Sequence, residues 1–460
     1  MAPALLKLSH GPRVEGLMDE VIGLAVEALR EVDVRGKSEK LALSEAARRL
    51  GVKDPGAIRF AHRLVLETLK KLGLVDELAS KALKPTGLQE LKPRTKAFLR
   101  LFAYRAVLEG ADIRELVELA RKGREALGPG VLLPIEHALG RLTTMTVSDV
   151  LADRGTDDKL ALELGVPRWL LDVFYRDLGR HEALALLRAC LSPTPTYVRV
   201  NTLKGDEEEI LKSLSREGIG LRPVEGLRHV YEVLGAEKPI IMTRAYREGL
   251  IYVQDKASCL AVEVAGPEPG MTVLDVCAAP GAKTTYMAQL MENEGTIISI
   301  DYSPRRLGTW KSLTAKMGVK IAWPLLADAR FPLPSRLEAD LVLLDLPCTG
   351  TGALAHAPSA RWRLTPSSAE HMAKIQYRIL DSCSKHVRPC GMLVYVTCSV
   401  LVEENELVIE RFLRTHPDFQ LEPAEPFLGL PGLRGLRECQ RLYPHIHKCD
   451  GYFIAKLVRT

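Results

Sequence analysis

The sequence predicts an α/β protein. Its C-terminal half reads as a Rossmann-like, mostly parallel, doubly wound sheet, preceded by a small α+β module and an all-α N-terminal domain. Three observations carry this. From Gly249 onward short apolar runs alternate with helical patterns, as in strands joined by crossover helices. Between about Val14 and Arg124 apolar residues recur at helical spacing, as in Leu17, Val21, Leu24, Ala25 and Leu29. The runs Leu341 to Leu344 and Met392 to Val396 are of the sort that fills a parallel sheet covered on both faces, and each leads into a cysteine, Cys348 or Cys398.

A chain of 460 residues is too long for one ordinary core. We divide it at 1–150, 151–248 and 249–460. Hydrophobic residues at 47% and charged residues at 26% fit a soluble globular protein. No apolar run approaches the roughly 20 residues that cross a bilayer. The N-terminus shows no basic leader followed by an apolar stretch and cleavage site. These features place the chain in the cytoplasm, away from membranes, and we expect a monomer. Nine cysteines without paired spacing argue for reduced thiols over a disulfide framework. The net charge of +5 is too mild to announce nucleic acid by itself.

In the first part, Ser44 before Glu45 and Ala46 reads as a helix N-cap and Gly51 as the helix end. Lys81, Lys84, Lys92, Arg94, Lys96 and Arg100 form a basic run opposed only by Glu90, either a solvated helix face or a phosphate-binding patch. A second helical stretch, Pro134 to Leu191, contains Pro167-Arg168-Trp169-Leu170 and serves as a connector. Near Pro193 the pattern becomes strand, helix, strand: Tyr197 to Asn201, Asp206 to Gly218 and His229 to Val233. So small a unit needs a neighbour to pack on.

In the third part the strand Met271 to Val276 runs into Cys277-Ala278-Ala279-Pro280-Gly281-Ala282-Lys283-Thr284 and a helix. Small residues there let the backbone approach a ligand, and the helix start offers unpaired N–H groups. Asp301 follows Gly281 by 20 residues, at the end of the next strand, the spacing at which a carboxylate takes the hydroxyls of a ribose. Ala282 separates Gly281 from Lys283, so this is not a Walker P-loop, and the three spaced glycines of a dinucleotide site are missing. A nucleoside cofactor without pyrophosphate fits, and S-adenosyl-L-methionine is such a ligand. Asp328 falls at a third strand end, placed to accept from an adenine amino group or to cap a helix.

Together the cofactor turn, Asp345-Leu346-Pro347-Cys348-Thr349-Gly350 and Thr397-Cys398-Ser399 resemble the RNA 5-methylcytosine methyltransferases of the Fmu/Sun group. Arg199 to Leu203, Gln254 to Ser258, Asp301 to Arg306 and Asp450 to Ala455 look like further signatures, with Arg306 matching a cofactor-site arginine. The resemblance runs from about Pro167 to the C-terminus. The helical N-terminal part looks like the NusB-type RNA-binding domain of the bacterial ribosomal-RNA members, and the middle module is RRM-like. Three departures stand out: Ala282 for a second glycine, Leu346 for alanine and Cys390 within Pro389-Cys390-Gly391.

The resemblance implies methylation of C5 of a cytosine in RNA, ribosomal before transfer RNA, from S-adenosylmethionine. Carbon 5 is a poor nucleophile until a thiolate adds to C6. On residue chemistry alone both strand-end cysteines are competent. The resemblance implies attack by Cys398 and product release by Cys348, with Asp345 on the cytosine amino edge and Lys283 orienting Asp345 or the base. The target base must leave its stack, so loop or single-stranded RNA is expected. Cys439, His445, His447 and Cys449 match no standard zinc spacing. An exocyclic-amine methyltransferase would carry an Asn/Asp-Pro-Pro-aromatic string at Asp345. A catalytically silent RNA-binding assembly factor would need neither both cysteines nor the full cofactor turn.

Overall fold

A computed structural model describes residues 12–333 and 337–460. The stretch read for a leader begins, and the side chain of Leu17 lies, outside the described part. The chain forms two compact units, 1–176 with 356–364, and 177–355 with 365–460.

The first unit is helical. Its first helix, Pro12–Arg35, buries Val21, Ile22, Leu24, Ala25, Val26, Ala28 and Leu29 together with Glu27 and Glu31, and so is covered nearly all round over that stretch. That pattern belongs to the centre of a bundle, and helices Glu39–Leu50, Pro55–Lys70, Pro93–Ala103 and Ile113–Leu127 pack around it. Ser44 is not a cap. Good helix formers continue back to Glu39, so Ser38 holds the N-cap position, while Gly51 closes the helix in the left-handed region at φ 71°.

Half of the basic run is paired within the unit, while Lys81, Lys84 and Lys92 stay on the surface. Arg100 is buried and bonds Asp76 and Asp33 at 2.7 and 2.8 Å; Lys96 meets Asp33 at 2.7 Å, and Arg94 pairs with the buried Glu27. These cations tie helices together. Residues 356–364, from far along the chain, complete the unit. Here Trp362 Nε1 donates to the Leu69 carbonyl at 2.7 Å, and Arg361 is fully buried, with Nη1 3.0 Å from the Gly165 carbonyl oxygen.

The second unit holds two sheets. The small one takes β1 (Tyr197–Val200), β2 (Ile219–Pro223), β3 (Val230–Ala236) and β4 (Ile251–Val253) in the antiparallel order β2-β3-β1-β4. Residues 251–253, read as part of the large sheet, thus join the small one.

The large sheet takes β5 (Thr272–Val276), β6 (Thr296–Asp301), β7 (Ala322–Leu326), β8 (Ala339–Asp345), β9 (Val387–Thr397), β10 (Phe419–Glu422), β11 (Leu430–Pro431), β12 (Gln440–Leu442) and β13 (Tyr452–Arg459). Its order is β11-β12-β13-β9-β8-β5-β6-β7, with β10 on β13. The strands from β9 to β7 are mutually parallel, and β13 is antiparallel to β9. Leu341 to Leu344 are buried throughout, as a strand covered on both faces requires. The chain leaves β5 for β6 on one side and returns to β8 on the other, which opens a crevice beyond the carboxyl ends of β5 and β8.

Candidate active site

That crevice is a pocket of about 540 Å³, a size suited to a nucleoside-bearing cofactor. Cys277, Asp301, Arg306, Asp328, Asp345, Cys348 and Cys398 line it, so the five strand ends singled out in the sequence, those of β5 to β9, converge. Ala278, Ala279, Pro280, Gly281 and Ala282 form the turn behind this lining. Gly281 adopts φ 110°, and a Cβ there would come 3.1 Å from Trp310, so glycine is required. The helix Ala282–Leu290 starts at this turn.

Asp301 ends β6 with Oδ1 accepting from Ser303 N at 3.0 Å and Oδ2 from Ala279 N at 3.3 Å. Arg306 Nη1 stands 3.3 Å from Asp301 Oδ2, and its Nη2 donates to the Ala279 carbonyl. Arg306 therefore braces the turn against the acidic residue. Asp328 pairs with Arg330 at 2.6 Å, which holds its carboxyl below the usual range and keeps it an ionised acceptor. Leu346, the bulkier departure, does form part of the wall. An aspartate pair on the wall, a tight turn and a helix start fit the donor pattern of S-adenosylmethionine.

The reacting end is built from β8 and β9. Cys348 Sγ lies 3.1 Å from Cys398 Sγ. Hydrogen bonding to Cys398, burial and the nearby Glu404 raise the Cys348 pKa well above normal, so this thiol stays protonated beside its neighbour. Lys283 is buried and bonds Asp345 Oδ2 at 2.7 Å. It reaches the pocket through that carboxylate. Burial pushes the Cys277 thiol far up, which removes it as a rival nucleophile.

Glu404 is the residue that motif reading misses. Fully buried, it accepts from Thr349 N at 2.9 Å, Gln376 Nε2 at 2.9 Å and Ser399 Oγ at 2.6 Å, and from the Thr349 hydroxyl. Thr349 follows Cys348 and Ser399 follows Cys398. One carboxylate thus holds both cysteine loops in register. Its signal in the sequence is faint, since it is one of three acidic residues, Glu403, Glu404 and Glu406, that follow the apolar Val400-Leu401-Val402. Gly352 N donates to the Cys398 carbonyl, and Gly451 N to the Gly352 carbonyl, both at 2.9 Å, which stitches the two loops to the start of β13.

Behind the turn, Asp275 is fully buried. Its Oδ2 accepts from Thr284 Oγ1, while Oδ1 has no partner among the described residues. Burial pushes this carboxyl up to about 7. An unfolded aspartate titrates near ~4, so the stability it contributes is complete below about pH 4 and is lost as pH rises towards 7. We expect the wild-type stability to fall across that window relative to Asp275→Asn, by roughly 4 kcal/mol at most, and its unfolding midpoint to fall with it. Parallel midpoint curves for the two proteins by thermal melts at each pH would refute a raised carboxyl.

Residues 262–458 match the family described as 16S rRNA methyltransferase RsmB/F, and residues 166–231 match its ferredoxin-like domain. The ribosomal RNA small subunit methyltransferase B of Cronobacter sakazakii is 30% identical over 95% of this chain and 98% of its own length. The chain belongs to this methyltransferase family. The expected enzyme class, fold and S-adenosylmethionine cofactor stand. Among other members, the 25S rRNA (cytosine-C(5))-methyltransferase nop2 of Schizosaccharomyces pombe is 32% identical over 64% of this chain and 51% of its own length. The crystal structure of PH0851 superposes with a TM-score of 0.85 at 31% identity, covering 98% of this chain and 99% of that one. No helix among the described residues is long and apolar enough to cross a membrane.

Proposed function

We propose that this chain methylates C5 of a cytosine in small-subunit ribosomal RNA through a covalent adduct between Cys398 and C6, acting as a cytoplasmic monomer. The observation that carries the mechanism is the pair of sulfurs 3.1 Å apart on a wall shared with Asp345 and Asp301. The names of its ribosomal-RNA relatives support the substrate class. S-adenosylmethionine, when bound, supplies an electrophilic methyl. Asp301 and Asp328 would hold its nucleoside, and the turn from Cys277 to Lys283 would lie against the rest.

Addition of the Cys398 thiolate to C6 forms the S–C6 bond and shifts the C5=C6 pair onto C5, which takes the methyl. Asp345, oriented by Lys283, meets the amino edge of the ring and favours its protonation. Loss of the C5 proton then restores C5=C6 and breaks S–C6. We assign this release to Cys348, which takes the C5 proton as a thiolate after giving its own proton to solvent, a step eased once the Cys398 sulfur is bound to C6 and no longer opposes ionisation of its neighbour. The order of the two thiols rests on the resemblance of Thr397-Cys398-Ser399 and Asp345-Leu346-Pro347-Cys348 to the family's strings, since both sulfurs are chemically competent. The helical unit is proposed to bind the RNA.

Bisulfite sequencing of total RNA from a strain lacking the protein is expected to show one or a few unmethylated cytosines in 16S rRNA that are methylated in the parent. An unchanged 16S rRNA pattern, or a loss confined to transfer RNA, would sink the ribosomal assignment.

A further inference from the structure

Tyr452 is a pocket wall residue that the mechanism above leaves unused. It begins β13, where Phe453 pairs with Thr397 and Ile454 with Val396. The ladder ends at the Phe453–Thr397 pair, and the residues adjoining that pair are Tyr452 and Cys398. Both pack in the same apolar cluster and line the cofactor pocket. The backbone keeps them together, since Gly451 N donates to Gly352 O and Gly352 N to Cys398 O. A Cβ on Gly352 would come 2.0 Å from the Gly451 carbonyl oxygen, so this approach admits no side chain.

The ring is packed and the hydroxyl is poised. Tyr452 is 9% exposed, and Lys283 Nζ lies 5.6 Å from the ring centroid. Among the described residues its hydroxyl makes no hydrogen bond, and it is not sealed from the pocket, so it can meet a ligand there. Burial first, then Asp345, the Cys398 sulfur, Asp255 and Asp450, raise its pKa well above normal. The phenol therefore keeps its proton and can serve as a donor in the pocket it shares with Cys398 and Asp345.

We infer that Tyr452 is a further catalytic residue, its O–H donating a hydrogen bond to the O2 carbonyl of the bound cytosine. The inference rests on the covalent cytosine reading. A cytosine ring offers two strong acceptors, O2 and N3. Asp345 meets the edge that carries N3 and the amino group, which leaves O2 for a donor placed beside Cys398. When the Cys398 thiolate adds to C6, the pair displaced from C5=C6 spreads over C5 and N3 and on into the C2=O2 group. A preorganised donor at O2 stabilises that charge and is worth more in the addition step than in the ground state. The hydrogen bond forms without transfer of the phenolic proton, so no further acid or base is consumed.

Tyr452→Phe keeps the ring and its packing and removes only the hydroxyl. With ribosomal RNA from a strain lacking the protein as substrate, kcat is expected to fall roughly 10- to 100-fold. Covalent trapping by 5-fluorocytosine RNA should slow in parallel. The unfolding midpoint and the affinity for S-adenosylhomocysteine, measured by calorimetry, should stay at the parent values. A kcat within twofold of the parent, or a loss confined to S-adenosylhomocysteine affinity, overturns the assignment of Tyr452 alone. Failure of the parent enzyme to methylate that RNA or to be trapped overturns the proposed function together with it.

Discussion

Cys398→Ala abolishes methylation and covalent trapping by 5-fluorocytosine RNA alike, while the affinity for S-adenosylhomocysteine stays unchanged. The expected loss in kcat is on the order of 10⁴-fold or more, because removing a nucleophile deletes the covalent route and leaves only binding and orientation. The substitution is small in volume, and the loop around it does not depend on the sulfur. Ser399 is anchored to Glu404, Asn405 Nδ2 donates to the Ser399 carbonyl at 2.9 Å, and Thr397 Oγ1 donates to Asn405 Oδ1 at 2.6 Å. The fold at the site should therefore survive, and the cofactor affinity reports whether it does. Persistence of an adduct resistant to denaturant in Cys398→Ala would transfer the attack to Cys348.

The cofactor turn and the two cysteine strings are legible in the sequence because their chemistry is local. Each is a short run of residues at the end of an apolar strand, and a parallel sheet brings strand ends to one crevice whatever lies between them. The antiparallel half of the sheet is harder to read, since β10, β11 and β12 are only two to four residues long and carry no period. Glu404 is invisible for a different reason. Its role comes from four donors contributed by Thr349, Gln376 and Ser399, which only the fold assembles. The later half of the run from Lys81 to Arg100 misleads in the opposite sense. Read alone it is an uncompensated positive stretch, yet Glu27, Asp33 and Asp76 arrive from other helices to neutralise Arg94, Lys96 and Arg100. Charge patterning along the chain predicts a binding face only where the fold brings no countercharge to it. Residues 356–364 show the same limit for domain boundaries. Nothing in their composition announces that they pack with the helical unit, and the anchor is the geometry of Trp362 and Arg361.

Cys348→Ala should behave in a way that no merely structural cysteine can imitate. With the Cys398 thiolate intact, addition to C6 and methyl transfer proceed once, and the enzyme then remains joined to its methylated product. The expected result is a burst of about one methyl group per enzyme followed by turnover slowed roughly 10²- to 10⁴-fold, the range associated with a missing proton-transfer group. A protein–RNA adduct should accumulate on natural RNA without any fluorinated base. The Thr349 loop is held from Glu404 through both the Thr349 backbone N–H and its hydroxyl, so alanine at 348 leaves the loop in place. What alanine does remove is the thiol 3.1 Å from the Cys398 sulfur. Through that contact the variant also loses a hydrogen bond to the attacking group. Single-turnover methylation separates the two consequences, since a weakened thiolate slows the burst, whereas a missing release group leaves the burst intact and blocks every later turnover. An adduct-free loss of activity, with a slowed or missing burst, would make Cys348 a partner of the nucleophile and leave product release to another base.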